Sequence, residues 1–455
     1  MLAADRDHRV TMNPARNKSA MRFVLLTVFI YAAGFGIIMP SLPDLIQDLE
    51  GISLSQATQL GAWIGATYAI FQFALGPMIG NLGDRFGRRP VFLVSLFAFG
   101  FDFLVMGMAQ SIIWLFIGRG IAGGLGAVFG PANAAMADLS DDKNRAASFG
   151  MVGAAFGTGF IIGPAMGGFI ADGQLVNSLF AGLGMTETGR FLAEHSTRLP
   201  FFVAAAMAFA NCLYGFFVFP ETMPKEKQRP FEWRRANPLG ALISLGKIGR
   251  ILPVALIYFL WSFAGQIYPA SWSFFAKAQY GWDSKMIGLS LTAVGISMAF
   301  CQAVVIRRAV ARFGERLTAQ IGMLCGLAGF VAVALVSSGV AGLILCLIMG
   351  LQGIAQPALN AIMSRRVPPD QQGELQGFNG SMAAMAFLLA QLVFNFTLAF
   401  FTSPAAPFQF PGAPFIIAAI FAAAAFILLT LLPRSQGASQ SASPALSAQP
   451  AKEIR

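Results

Sequence analysis

Apolar runs of about 20 residues, the length that crosses a bilayer as a helix, recur along almost the whole of this 455-residue chain. That recurrence limits the fold more than any other feature. A chain made of such runs must satisfy its backbone hydrogen bonds inside each run, so it folds as a bundle of membrane helices. Composition agrees: 56% of residues are hydrophobic and 11% are charged, and an ordinary soluble domain carries roughly twice that charge. The formal net charge of +10 does not point to nucleic acid, because basic residues on one side of a membrane protein explain it.

The runs place twelve helices at 22–43, 57–80, 90–109, 112–137, 146–171, 200–219, 251–275, 286–306, 318–337, 340–363, 376–401 and 412–433. The fold class expected is therefore an all-α polytopic membrane protein, with twelve spans in two six-helix bundles. The divisions are an amino-terminal tail (1–21), a first bundle (22–220), a charged linker (221–250), a second bundle (251–433) and a polar tail (434–455). Lysine and arginine crowd the tails and every second connection, while the other side holds only Arg190, Arg198, Lys277 and Lys285. That asymmetry puts both termini in the cytoplasm. A weak internal repeat sets Phe86-Gly87 on Phe313-Gly314, Arg85 on Arg312 and Arg89 on Arg316, while Asp84 falls on Ala311. The amino terminus lacks an apolar core and reads as a tail rather than a signal peptide. Cys212, Cys301, Cys325 and Cys346 have no metal-ligand spacing, so buried thiols are expected, with no cofactor and no metal.

Three places concentrate the chemistry. The segment Gly80-Asn-Leu-Gly-Asp84-Arg85-Phe-Gly87-Arg88-Arg89-Pro90 packs glycines, an acid and three arginines between two spans. Its glycines allow a sharp turn, and Pro90 suits the first turn of a helix. Arg119 falls well inside the fourth span and Asp102 inside the third. A membrane arginine costs about 2.5–3.5 kcal/mol even on the lenient insertion scale, so it must face a cavity or a partner. The two form a functional ion pair, or one that only neutralises itself. The fifth span carries Gly159-Phe-Ile-Ile-Gly163-Pro164-Ala-Met-Gly167-Gly168; glycines four apart admit a close helix, and Pro164 removes a backbone donor.

These strings resemble the major facilitator superfamily. The segment from Gly80 to Pro90 resembles its signature between the second and third helices, which implies a latch (Gly80, Asp84, Arg85, Gly87, Arg88, Arg89) closing the cytoplasmic ends of the halves. Arg119 with Gly123 resembles its fourth-helix motif, which implies proton coupling through Arg119 and Asp102. The string Gly159, Gly163, Pro164, Gly167, Gly168 resembles the motif of drug/proton antiporters. Gly36-Ile-Ile-Met39-Pro40, Phe219-Pro220-Glu221-Thr222 and Gln371-Gln372-Gly373-Glu374 resemble the tetracycline/proton antiporter branch. The likeness covers about residues 20–433, and implies efflux of a small amphipathic organic compound against protons, with uptake symport of a metabolite as the alternative. It further implies a monomer in a bacterial inner membrane, no catalysis, and substrate, protons and lipid as partners. Three positions depart from the branch: Tyr31 stands where it keeps an aspartate, Met298 where a histidine is common, and Gly326 where an acid is common. Tetracycline itself is therefore a doubtful substrate. A cavity of aromatic and amide side chains is expected from Tyr31, Tyr68, Gln72, Trp261, Gln266, Tyr268, Trp272, Gln302, Gln356, Asn360, Gln391 and Asn395, since amides facing hydrocarbon are costly. Asp138 is either a second gate charge or a solvated loop acid.

Overall fold

A computed structural model describes residues 14–126, 128–140, 145–223, 228–230, 251–368 and 372–433. Most of the expected linker, most of the amino tail and the carboxyl tail lie outside the described residues. The first half comprises α1 (Pro14–Ile38), α2 (Leu42–Glu50), α3 (Leu54–Phe86), α4 (Arg88–Gly107), α5 (Ile112–Leu125), α6 (Phe129–Leu139), α7 (Arg145–Ala171), α8 (Gly173–Gly182), α9 (Thr186–Glu194) and α10 (Leu199–Val218). The second comprises α11 (Leu252–Gly265), α12 (Ile267–Tyr280), α13 (Ser284–Phe300), α14 (Ile306–Leu335), α15 (Gly339–Ile348), α16 (Ala355–Ser364), α17 (Gln372–Phe401) and α18 (Ala413–Leu431). A π turn at Cys301–Val305 joins α13 to α14, and a 3-10 turn at Met349–Ile354 joins α15 to α16. No strand occurs among the described residues.

Among the described residues, eleven helical stretches are long and apolar enough to cross a membrane. One of them, Ser284–Leu335, has 52 residues, about twice what a crossing needs, and its backbone breaks at Gly314. Divided there, the described residues fit the twelve spans expected. Several boundaries differ from expectation. The second span runs on as helix to Phe86, so the signature segment is almost wholly helical and bends at Gly87 alone. The connection after the fifth span holds α8 and α9. Between the first two spans the short α2 starts on Leu42-Pro43, where a missing N–H costs nothing.

The two halves repeat one another more closely than their sequences do. Gly87 and Gly314 both take positive φ, 96° and 74°, with ψ of 160° and 171°, a backbone region open essentially to glycine alone. Arg85 lies over the Phe86 ring at 5.0 Å and Arg312 over Phe313 at 5.6 Å. Arg89 donates to the Phe216 carbonyl at the end of α10 (2.6 Å), and Arg316 to the Leu429 carbonyl at the end of α18 (2.7 Å). One ion pair recurs with its charges exchanged: Arg88 with Asp138 at 3.5 Å, and Glu315 with Arg365 at 2.7 Å.

The halves meet along α7 against α13 and α3 against α17. Among the described residues their contact is concentrated toward one end. There Lys277 pairs with Asp44, Lys285 with Asp172 at 2.9 Å, and the Ser284 hydroxyl donates to the Pro40 carbonyl at 2.9 Å. Ser55 donates to the Ala399 carbonyl at 2.7 Å. At the opposite end, which carries Gly87 and Gly314, Gly76, Gly80, Gly150, Gly153, Gly157, Gly377 and Gly380 all face open space. The halves are splayed at that end.

The antiporter-like glycines explain the closed end. A Cβ at Gly159, Gly163 or Gly167 would collide with the carbonyl of Phe29, Ala33 or Ile37 on α1. The four-residue spacing on both helices sets ridge against groove, so two backbones lie in direct contact. Pro164 packs on Gly36. On the other side of α7, Gly168 lies 2.7 Å, measured from a built Cβ, from the Ser284 carbonyl of the second half, and Gly288 abuts the Pro164 carbonyl. Gly163→Val should therefore lower stability by about 1–3 kcal/mol, while Gly157→Ala, which faces open space, should stay within about 0.5 kcal/mol. Thermal melting of the purified variants in one detergent measures both.

Candidate functional site

Asp102 projects from α4 and Arg119 from α5 into one buried spot. The Arg119 Nη2 donates to Asp102 Oδ2 at 2.6 Å, with Asp102 0% and Arg119 5% exposed. Each charge makes the other tolerable in a medium that solvates neither. The guanidinium also rests on the Met106 sulfur, with Nε at 3.2 Å and Nη2 at 3.1 Å, and lies 5.7 Å from the Tyr68 ring and 5.9 Å from the Phe103 ring. Cation and aromatic face attract at these separations. The second carboxylate oxygen, Oδ1, is buried with no hydrogen-bond partner. A Cβ at residue 118 would lie 2.7 Å from it, so Gly118 leaves just the room that oxygen occupies.

Arg119 also reaches the seam. A cavity of about 60 Å³ lies between the halves, with Phe35, Tyr68 and Arg119 on one side and Phe274, Phe387 and Gln391 on the other. Tyr31 and Tyr68 share a hydroxyl–hydroxyl hydrogen bond of 3.2 Å, and the Gln72 amide donates to the Tyr68 hydroxyl at 3.1 Å. The Gln391 amide packs directly on Gly65 of α3. Tyr31, Tyr68, Gln72, Asp102 and Arg119 thus form one connected group, and Gln391 lines the same cavity from the second half, its amide oxygen accepting from Asn395 at 3.3 Å.

The other expected cavity residues lie elsewhere. Asn395 is fully buried in the second half, donating to the Ala270 carbonyl at 3.1 Å and accepting from the Ser271 hydroxyl at 2.7 Å. Trp272 is fully buried and donates to Ser290 at 2.9 Å, and Tyr268 donates to the Met349 sulfur. Gln356 donates to Ser262 at 3.1 Å, and Asn360 accepts from Asn379 at 3.1 Å. Gln302 is exposed on the π turn, and Gln266 sits at the break between α11 and α12. The apolar cavity walls Phe35, Phe274 and Phe387 escaped the sequence reading, because phenylalanine is common in this chain and the residue type says nothing of the direction it faces.

The signature segment is held within the first half. Asp84 pairs with Arg88 at 2.7 Å, and Glu221 accepts from the backbone N–H of Arg88 (2.8 Å) and Arg89 (3.2 Å). That carboxylate caps the amino end of α4, as the helix dipole favours. Asp138 joins the group through Arg88 and the Thr222 hydroxyl, which donates to it at 3.4 Å.

The departure at Gly326 has a steric reason. A Cβ there would stand 2.6 Å from the buried ring of Trp261, so the indole fills the volume that an acidic side chain would need. Gly326→Asp should cost about 1–3 kcal/mol in stability, and Trp261→Ala should restore room for it; melting of the single and double variants tests the pair.

A family model described as Major Facilitator Superfamily matches residues 24–391 and 254–454. The class C tetracycline resistance protein of Escherichia coli is 33% identical over 378 residues, covering 83% of this chain and 89% of that protein. Multidrug resistance protein 2 of Bacillus subtilis (strain 168) is 26% identical over 416 residues, covering 89% and 95%. Among solved structures, a bacterial homolog of the human lysosomal transporter Spinster, inward-facing and unoccupied, matches with a TM-score of 0.69 at 15% identity, covering 92% of this chain and 97% of that one. The human organic anion transporter MFSD10 (TETRAN) matches at 0.64 and 21% identity, covering 92% and 100%. Two repeated halves, seamed at one end and with a buried ion pair inside the first, therefore go with a sequence that belongs to the major facilitator superfamily, in the branch of the tetracycline resistance proteins.

Proposed function

We propose that this transporter exports small amphipathic organic compounds, tetracycline-type drugs or related molecules, in exchange for protons. The observation that carries the reading is the Asp102–Arg119 pair, buried and yet in contact through Arg119 with the cavity between the halves. A proton on the free Oδ1 of Asp102 would remove the charge that holds Arg119 in place. The guanidinium would then need a new partner across the cavity, and that need ties protonation to the position of the halves. The names of the similar proteins, tetracycline resistance and multidrug resistance, support export and a drug-like substrate. The apolar and aromatic cavity walls favour an amphipathic molecule.

The arginine-rich end faces the cytoplasm in this reading, so the splayed halves open inward and the pairs Asp44–Lys277 and Asp172–Lys285 shut the outer end. In the opposite state Asp84 and the arginines of the signature segment latch the cytoplasmic ends, and the outer pairs part. Both termini are then cytoplasmic, the membrane is a bacterial inner membrane, and one chain suffices as a monomer.

Reconstituted vesicles with an internal pH dye test the coupling. Asp102→Asn should abolish proton-linked drug movement while leaving insertion and yield near normal; undiminished proton-linked efflux would sink the assignment. The outer pairs should behave differently. The Lys285 ammonium beside Asp172, helped by the Leu175 N–H, holds the Asp172 carboxyl below its ordinary range. A depressed carboxylate contributes fully above its unpaired value and loses its contribution only as pH falls through the depressed one. Asp172 thus keeps its charge from pH 5 to 8 and does not sense protons there. Asp172→Asn should therefore alter turnover while preserving the pH profile of transport, which the same vesicles report.

A further inference from the structure

We propose that the arginine-rich end of the second half binds a phosphate-bearing anion, in a pocket of about 380 Å³ bordered by Glu315, Arg316, Arg365, Arg366, Leu429 and Leu432. The internal repeat shows what such a place holds in the other half. There the Glu221 carboxylate accepts from the N–H groups of Arg88 and Arg89, while Arg89 grips the end of α10 through the Phe216 carbonyl. The second half repeats the frame. Arg316 grips the end of α18 through the carbonyls of Leu429 (2.7 Å), Thr430 (3.0 Å) and Leu432. Both helices end in extended backbone, ψ 116° at Phe219 and 126° at Leu432. The sequence then changes sign: Phe219-Pro220-Glu221 in the first half reads Leu432-Pro433-Arg434 in the second.

Among the described residues the second pocket therefore keeps the cations and lacks the acid. Three arginines line it against one carboxylate, and that carboxylate, Glu315, is already engaged by Arg365 at 2.7 Å. Arg366 is half-buried with no side-chain partner among the described residues, and burial and then the nearby Arg316 charge hold its pKa below the ordinary value. An incoming anion would relieve that crowding. A tetrahedral phosphate offers several acceptor oxygens to planar guanidinium forks, which are suited to it. Such an anion has two sources. A phospholipid head group could enter from the bilayer along the apolar rim of Leu429, Leu432 and Ile362, as basic pockets at helix ends accept anionic lipids; a free phosphate could enter from water.

The test uses the full-length purified protein. Native mass spectrometry with phosphatidylglycerol, against phosphatidylcholine as the neutral control, reads the lipid source. Thermal shift with added inorganic phosphate reads the soluble one. Wild type should retain phosphatidylglycerol or be stabilised by inorganic phosphate, Arg366→Gln should weaken that binding about tenfold, and Arg366→Lys should recover part of it. Preference for phosphatidylglycerol supports the site with a lipid occupant; stabilisation by phosphate alone supports it with a soluble one. Should Arg366→Gln fail to fold, Arg365→Gln carries the same expectation. Binding of neither probe, or equal binding in wild type and the glutamine variant, overturns the proposal.

Discussion

Backbone-to-backbone contact between helices is the constraint on which this molecule rests. In hydrocarbon there is no water to drive helices together, so association depends on close packing. Helix α7 has two bare faces. One lies against the carbonyls of α1, through Gly159, Gly163 and Gly167; the other touches the second half, through Gly168 and the Pro164 carbonyl opposite Gly288. One helix thereby locks the first half internally and joins it to its partner at a single end. The glycines toward the other end, Gly150, Gly153 and Gly157, touch nothing, and there the halves part.

Within that frame a buried ion pair still borders the seam. Asp102 is sealed from the seam and Arg119 is not, so the carboxylate communicates with the cavity only through its partner. The orphan oxygen of Asp102 is the expensive part of the arrangement, since a buried acceptor left unpaired costs about 1–3 kcal/mol or more.

The duplicated halves use one scaffold with opposite charges. Arg88 and Asp138 become Glu315 and Arg365, and the pair survives because exchanging the two charges leaves their attraction in place. The capping acid Glu221 has no such replacement. Its loss leaves an excess of positive charge at the end of the second half, while the geometry around Arg316 is retained.

Much of the plan was legible in the residues alone. Span length set the class, because hydrocarbon thickness demands about 20 apolar residues. The glycine spacing on α7 and the mid-span charges Asp102 and Arg119 were visible because glycine and charge are each exceptional in a membrane helix. The phase of the repeat was legible at Phe86-Gly87 and Phe313-Gly314, since only glycine tolerates that bend. What residue type leaves open, only the tertiary structure decided. Trp272 and Asn395 are buried inside the second half, while Gln391, one turn before Asn395 on α17 and accepting from its amide, reaches the seam, because depth along a helix and the neighbours packed there decide what a side chain meets. The Trp261 ring against Gly326, and the exchange of Arg88 and Asp138 for Glu315 and Arg365, join residues distant in sequence, whose approach is fixed only when the helices pack.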